Sequence, residues 1–356
     1  MMYQTSIQRQ ASSVFSRSAS GMFALITAVS LLAWTAPAPA QTTSLTQAGS
    51  SGAQFLKIGV GSRYLGMGEA AVATRGDAFS LYWNPAALTE IEGSQFGFAH
   101  TDWILDVSLS YAAYAKRIEG FGVIAFGVTS LNVGEMEITT ADNNDTQEGT
   151  GQFYDASSYA IEVGFARELT PRFSFGGGAK YIYESIATES ATGFAFDMGT
   201  ILYTGLRTLR LGMNISNLGT DMRFSGPSLS GTTNDGAGRP GNDFNYQVEA
   251  ANLPLIFRLG VAYDVEFSLD SRVTLASEMK HPNDNVRQGS LGMEYGYRER
   301  FFLRSGYKIN YDEEGVTLGA GLLTPFGHES HLSIDYAWSD LGRLNSAHRF
   351  SVNVGF

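Results

Sequence analysis

Beyond Gly93 apolar and polar residues alternate along the chain. Within 107–116, Val107, Leu109, Tyr111, Ala113 and Ala115 fall on one face, and Ser108, Ser110, Ala112, Tyr114 and Lys116 on the other. In 255–265, Leu255, Phe257, Leu259, Val261, Tyr263 and Val265 oppose Ile256, Arg258, Gly260, Ala262 and Asp264. The run 332–338 sets Leu332, Ile334, Tyr336 and Trp338 against Ser333, Asp335 and Ala337. At the end of the chain Phe350, Val352, Val354 and Phe356 oppose Ser351, Asn353 and Gly355. A period of two marks strands with one apolar face. Such runs predict strands near 94–103, 105–117, 119–132, 156–169, 171–187, 193–204, 207–218, 254–267, 271–281, 286–298, 301–311, 314–325, 330–340 and 346–356. Each is near the ~9–11 residues that a tilted strand needs to cross a bilayer.

The gaps between these runs carry a second pattern. The long ones, 133–155 and 219–253, follow the third and seventh strands, whereas the gaps after even-numbered strands are tight. In a membrane barrel with both ends on the periplasmic side, every odd-numbered connection lies outside, and outside loops are the longer ones. The parity favours an all-β, 14-stranded antiparallel transmembrane β-barrel over 93–356. The competing arrangement is a pair of soluble sandwiches joined by the Gly-, Asn- and Ser-rich segment 219–253. Phe356, ending an alternating strand, resembles the insertion signal of outer-membrane barrels and argues for the membrane.

Residues 1–40 contain no Asp or Glu, only Arg9 and Arg17 as charges, then an apolar run from Met22 to Trp34 and a small-residue stretch ending Ala38-Pro39-Ala40. These features predict a signal peptide cleaved near Ala40/Gln41. Without it the chain has 22 basic and 35 acidic residues, net −13, which speaks against a nucleic-acid partner. No later stretch approaches the ~20 apolar residues of a membrane helix, so membrane residence requires a barrel. The lack of cysteine removes disulfides and thiolate metal sites.

One long stretch, 55–88, does not read as strands. It holds Gly59, Gly61, Gly66, Gly68 and Gly76 and then the break Trp83-Asn84-Pro85-Ala86. Glycine allows close backbone approach, and Pro85 stops any helix begun before it. The pattern Gly59-x-Gly61-x-Arg63, Gly66-Met67-Gly68, Asp77-Ala78 and Trp83 to Leu88 resembles the start of the PorV/PorQ family of FadL-like outer-membrane barrels. The resemblance rests on about thirty-five residues. It implies fourteen strands and a hatch, residues 41–92, folded inside the lumen. It further implies a component of type IX secretion that binds and shuttles secreted proteins by their C-terminal signal domain. Outer-membrane lipid, secretion machinery and cargo are the implied partners. The alternative is a FadL-like channel for hydrophobic small molecules.

Alternation places Asp197, Arg210, Arg258, Asp264, Glu278, Lys280, Glu294, Arg304 and Asp335 on the lumen face, because charge towards lipid is costly. They read as a polar pocket or, more simply, as an ion-pair lining that holds the hatch. Tyr154, Phe224, Phe244 and Tyr246 are apolar residues in or beside the long loops and are the expected partner-binding anchors. Trp103, Tyr111, Tyr183, Tyr203, Tyr263, Tyr295, Tyr297, Tyr307, Tyr311, Tyr336 and Trp338 read as interfacial girdles. Gly176-Gly177-Gly178 is the expected kink should the wall open sideways. The acidic loop 142–148 lacks EF-hand spacing, and His328-x-x-His331 in a turn is a weak zinc pattern, so no metal or other cofactor is expected. No nucleophile elbow is present, and scattered histidines leave only Ser, His and Asn or Asp assembled on a barrel wall as a catalytic possibility, so no enzyme is expected.

Overall fold

The computed structural model describes residues 49–104, 107–139, 150–234, 240–327 and 330–356, without the side chains of 233–242. The expected signal peptide, the 142–148 loop and His328 lie outside the described residues. The strands are β1 (Ser94–Asp102), β2 (Ser108–Ile118), β3 (Gly122–Glu137), β4 (Phe153–Thr170), β5 (Phe173–Ile186), β6 (Glu189–Tyr203), β7 (Arg210–Gly219), β8 (Ser230–Asn234), β9 (Pro240–Asn245), β10 (Ile256–Ser268), β11 (Ser271–Pro282), β12 (Gln288–Tyr297), β13 (Phe301–Ile309), β14 (Val316–Phe326), β15 (Ser330–Asp340) and β16 (Ser346–Gly355).

Fourteen of these pair antiparallel in sequence order, β7 meets β10, and β16 returns to β1 to close a barrel. Closure leaves no strand edge unpaired, the condition for sheet in a bilayer. Alternation decides the two faces. On β1, Phe96 and Phe98 are exposed while Gln95, Ala99 and Thr101 are buried. On β6, Phe194 and Phe196 point out and Ala195 and Asp197 point in. The result is an outer wall of Phe, Leu, Val and Met around a polar interior. Among the described residues no helix is long and apolar enough to cross a membrane.

Several expectations need correction. β3 and β4 run on into the predicted loop 133–155, so Tyr154 sits in β4 opposite Met136 rather than in a loop. The segment 219–253 is not wholly irregular, since β8 and β9 form a separate two-stranded hairpin. Tyr111 is no girdle residue. The apolar face of β2 (Leu109, Tyr111, Ala113, Ala115) is the buried, inward one, and Tyr263 on β10 is also buried. Gly176-Gly177-Gly178 does not interrupt β5, being paired on both sides with β4 and β6. One register shift lies a strand further on, between Phe196 and Met198 in the β6–β7 pair, and others occur in β3–β4, β4–β5 and β10–β11.

Candidate functional site

What fills the barrel explains the inverted face of β2. Residues 52–91 form short turns of helix at Gln54–Lys57, Ser62–Gly66, Ser80–Trp83 and Pro85–Glu90. Val60, Tyr64, Leu65, Phe79, Tyr82 and Trp83 form one apolar cluster with Leu109, Tyr111 and Ala113 of β2. Leu81, Leu88 and Ile91 form another with Ala115, Val123, Ala125 and Ala166. An inner face that packs on apolar side chains must itself be apolar, whatever the outer face does.

Small residues on the wall make room for this segment. A Cβ on Gly176 (β5) would collide with the Pro85 backbone, on Gly199 (β6) with Asn84, and on Gly212 (β7) with Val72. Gly61 and Gly68 have φ of +79° and +66°, which glycine adopts without strain. The other motif residues hold the segment together. Trp83 Nε1 donates to the Val60 carbonyl at 2.9 Å, and Asn84 Nδ2 to Val72 and Thr200 at 2.7 and 3.1 Å. The Asn84 side chain also accepts from the Ala86 amide, capping the turn that Pro85 opens. The Asp77 carboxylate accepts from the Tyr64 hydroxyl and the Phe79 amide. Met67 is buried against Ala70, Val72, Ala262 and Ala276.

The lumen charges named from alternation are all buried, and they pair with one another and with the inner segment. Glu294 faces Arg304 at 2.7 Å and Arg63 and Arg272 at 3.2 Å each. Arg304 continues to Asp335 at 2.6 Å. Asp264 holds Arg75 and Arg210, both at 3.1 Å. Glu278 lies 3.5 Å from Arg258 and accepts the amides of Ala71 and Val72. Asp197 binds Lys180 at 2.6 Å and accepts the Asn217 amide at the β6–β7 irregularity. Lys280 and Lys308 share Glu69 at 3.4 and 2.6 Å. Leaving a buried charge unpaired is costly, and these bridges tie wall to segment or strand to strand. Sequence reading missed Lys180, Arg272, Lys308 and Arg349, which share strand parity with residues it named. Glu69 carried no such signal.

Outside the spanning strands, Asp284 and Glu299 are among the carboxylates whose affinity for a proton is shifted. Burial opposes charge on Asp284, but hydrogen bonds from Gln54 and Lys57 outweigh it and hold the carboxylate below its ordinary range. Hydrogen bonding from Arg272 does the same for Glu299, against partial burial.

Among the described residues, cavities border the inner segment at both ends. One of about 210 Å³ is lined by Lys57, Glu69, Trp103, Lys280, Tyr311 and Glu314 at the end that carries the long loops. The other, about 290 Å³, is lined by Arg63, Arg75, Arg272, Glu299 and Asp335 near the tight turns. Of the loop anchors, Phe224 is partly buried against Met222 and Leu253, whereas Phe244 and Tyr246 stack edge to face at 5.0 Å beside β9. The terminal strand ends with Phe356 exchanging backbone hydrogen bonds with Ser94.

His100 lies between Ser110 Oγ at 2.9 Å and Asp102 at 3.3 Å. The Asp102 side chain is two-thirds exposed, and the neighbouring strand amides are spent in the ladder. This network sits at the rim of the barrel. Among the described residues no cluster of three or more His, Asp or Glu is placed to hold a metal.

Solved structures share this architecture at low identity. The P. putida toluene transporter TodX aligns with a TM-score of 0.56 and 12% identity over 84% of this chain and 99% of its own. The CymD monoaromatic hydrocarbon channel aligns at 0.54 and 14% over 84% and 98%. A Pseudomonas aeruginosa FadL homologue aligns at 0.52 and 12% over 84% and 98%. At such identities the likeness is one of fold. No curated protein matches the chain. The family model for Type IX secretion system protein PorV matches residues 41–282, through the inner segment and on to the end of β11. The chain belongs to the PorV family of outer-membrane β-barrels.

Proposed function

We propose that this barrel serves type IX secretion as a component that binds secreted proteins through their C-terminal signal domains and shuttles them at the outer face, with residues 41–92 as its hatch. The observation that carries the reading is the filling of the lumen. Residues 52–91 reach the wall on every side, and the cavities described at either end of them are small and lined by charge. Such an interior suits a closed, binding barrel better than a passage for apolar molecules. Machinery and cargo then meet the barrel at its long loops, where Phe244 and Tyr246 present an aromatic pair.

A second reading, uptake of hydrophobic small molecules, is favoured by the fold. The structures it resembles include a toluene transporter and a monoaromatic hydrocarbon channel. Its weakness here is chemical, because Arg63, Arg75, Arg272 and Arg304 line the larger cavity. One comparison separates the two readings. Affinity recovery of the barrel from native outer membranes should bring down secretion machinery or cargo. Recovery of neither, together with barrel-dependent uptake of an aromatic hydrocarbon, would establish the second reading.

A further inference from the structure

Charge is divided between the two ends of the wall. At the long-loop end of β3 and β4, Glu135, Glu137 and Asp155 are exposed. At the tight-turn end of the same region the exposed charges are Lys116, Arg167, Arg172 and Arg207. Among the described residues no carboxylate lies within 4.0 Å of any of these four. The turns that carry them hold two acids, Glu119 and Glu168, and Glu168 is already paired with Arg117 at 3.3 Å. In a chain of net charge −11, unpaired cations are thus gathered at one rim.

The three turns form one surface. The Arg117–Glu168 pair joins the β2–β3 turn to the β4–β5 turn. The Tyr203 amide donates to the Arg172 carbonyl at 2.8 Å and joins the β6–β7 end to them. Each turn also bears an exposed apolar side chain, Phe121, Leu169 and Leu206, at 50%, 57% and 64%. This apolar surface continues the outer wall, for the Phe121 ring lies 5.0 Å from that of Phe165 on the outer face of β4. Lys116 and Arg167 keep the outward parity, two residues beyond Tyr114 and Phe165. A long cationic side chain at the edge of an apolar wall lays its stem in hydrocarbon and its charge among headgroups.

We propose that the rim formed by the β2–β3, β4–β5 and β6–β7 turns binds an anionic phospholipid of the leaflet at the tight-turn end. Its headgroup phosphate meets the four cations, and its acyl chains lie on the wall that Phe121 and Phe165 continue. Two observations select lipid over a soluble acidic protein. The apolar surface is continuous with the lipid-facing wall, and Lys116 and Arg167 point outward into the bilayer edge, beside the wall and away from the lumen mouth. Charge selects an anionic lipid over a zwitterionic one. The inference holds whether the lumen serves cargo proteins or small molecules.

The test offers the purified, delipidated full-length barrel equal amounts of phosphatidylglycerol and phosphatidylcholine in detergent, and native mass spectrometry reads which lipid it retains. A preference for phosphatidylglycerol of roughly five- to thirtyfold is expected, the effect of one or two cations at a lipid surface. Arg167→Gln with Arg172→Gln should bring the ratio towards one, and so should Lys116→Gln with Arg207→Gln. Arg223→Gln with Arg287→Gln removes the same charge from exposed positions at the long-loop end and should leave the ratio unchanged. Heat-modifiable migration shows that each variant is a folded barrel. Retention of both lipids alike, a preference that survives loss of all four cations, or an equal effect of the long-loop pair overturns the inference. Capture of an acidic periplasmic protein through these cations, without any lipid preference, would overturn it too and give the surface to a protein.

Discussion

At the scale of single residues, the interior is governed by what small side chains admit. Gly176 lies against Pro85, whereas a Cβ on Gly315, in the β13–β14 connection, would have nothing within 4 Å. Gly176→Ala should therefore lower the temperature at which heat-modifiable migration is lost, a cost of about 1–3 kcal/mol from overpacking. Gly315→Ala should leave that temperature unchanged, and equal effects at the two sites would refute the close-packing account. Asp284 provides a pH signature. Its folded-state pKa is depressed, so its anchoring of Gln54 and Lys57 is fully present above the ordinary value of about 3.9 and is lost as pH falls through the folded value. Carbon NMR of the Asp284 carboxyl should give a midpoint below about 3.9, rising in Lys57→Met. A midpoint at or above that value in the intact protein would show that the anchor is not formed.

At the scale of elements, the hairpin β8–β9 stands apart from the barrel ladder, which passes directly from β7 to β10. The rest of the 219–253 segment does not stand apart. Met222 pairs with Ala251, Ser225 pairs with Ser190, and Leu253 belongs to a buried cluster with Phe55 and Ile182. Excising 228–245 should thus leave a closed, heat-modifiable barrel and abolish recovery of secretion partners. Excising all of 219–253 should destabilise the barrel as well. Undiminished partner recovery after the shorter deletion would move the docking face elsewhere.

At the scale of the whole molecule, outside and inside obey opposite rules. The outer wall presents Phe, Leu, Val and Met, and the paired charges are gathered within. Met293, on the outer face of β12 between Leu291 and Tyr295, is lipid-facing in this arrangement. Met293→Arg should cost about 2–4 kcal/mol near the bilayer midplane and cut the yield of folded barrel in outer-membrane fractions. Wild-type yield would mean that this face does not meet lipid.

The strands were legible in the sequence because a strand's period of two is local. Each of the fourteen barrel strands overlaps a predicted run, and loop parity ordered them before any contact was known. The lumen charges on β6, β10, β11, β12 and β15 followed from the same parity, since lipid excludes them from the other face. Alternation alone misassigned β2, whose apolar residues face in, with Tyr111 on it and Tyr263 on β10. Periodicity divides a strand into two faces without saying what each one touches. That depends on residues 52–91, which are distant in sequence and meet β2 only inside the closed barrel. The same limit hid Glu69, whose two lysines come from β11 and β13, and the stacking of Arg349 on Trp103. Local pattern determined the wall and the division of each strand into two faces. Which partners the interior charges find was decided only when closure brought remote strands to one axis.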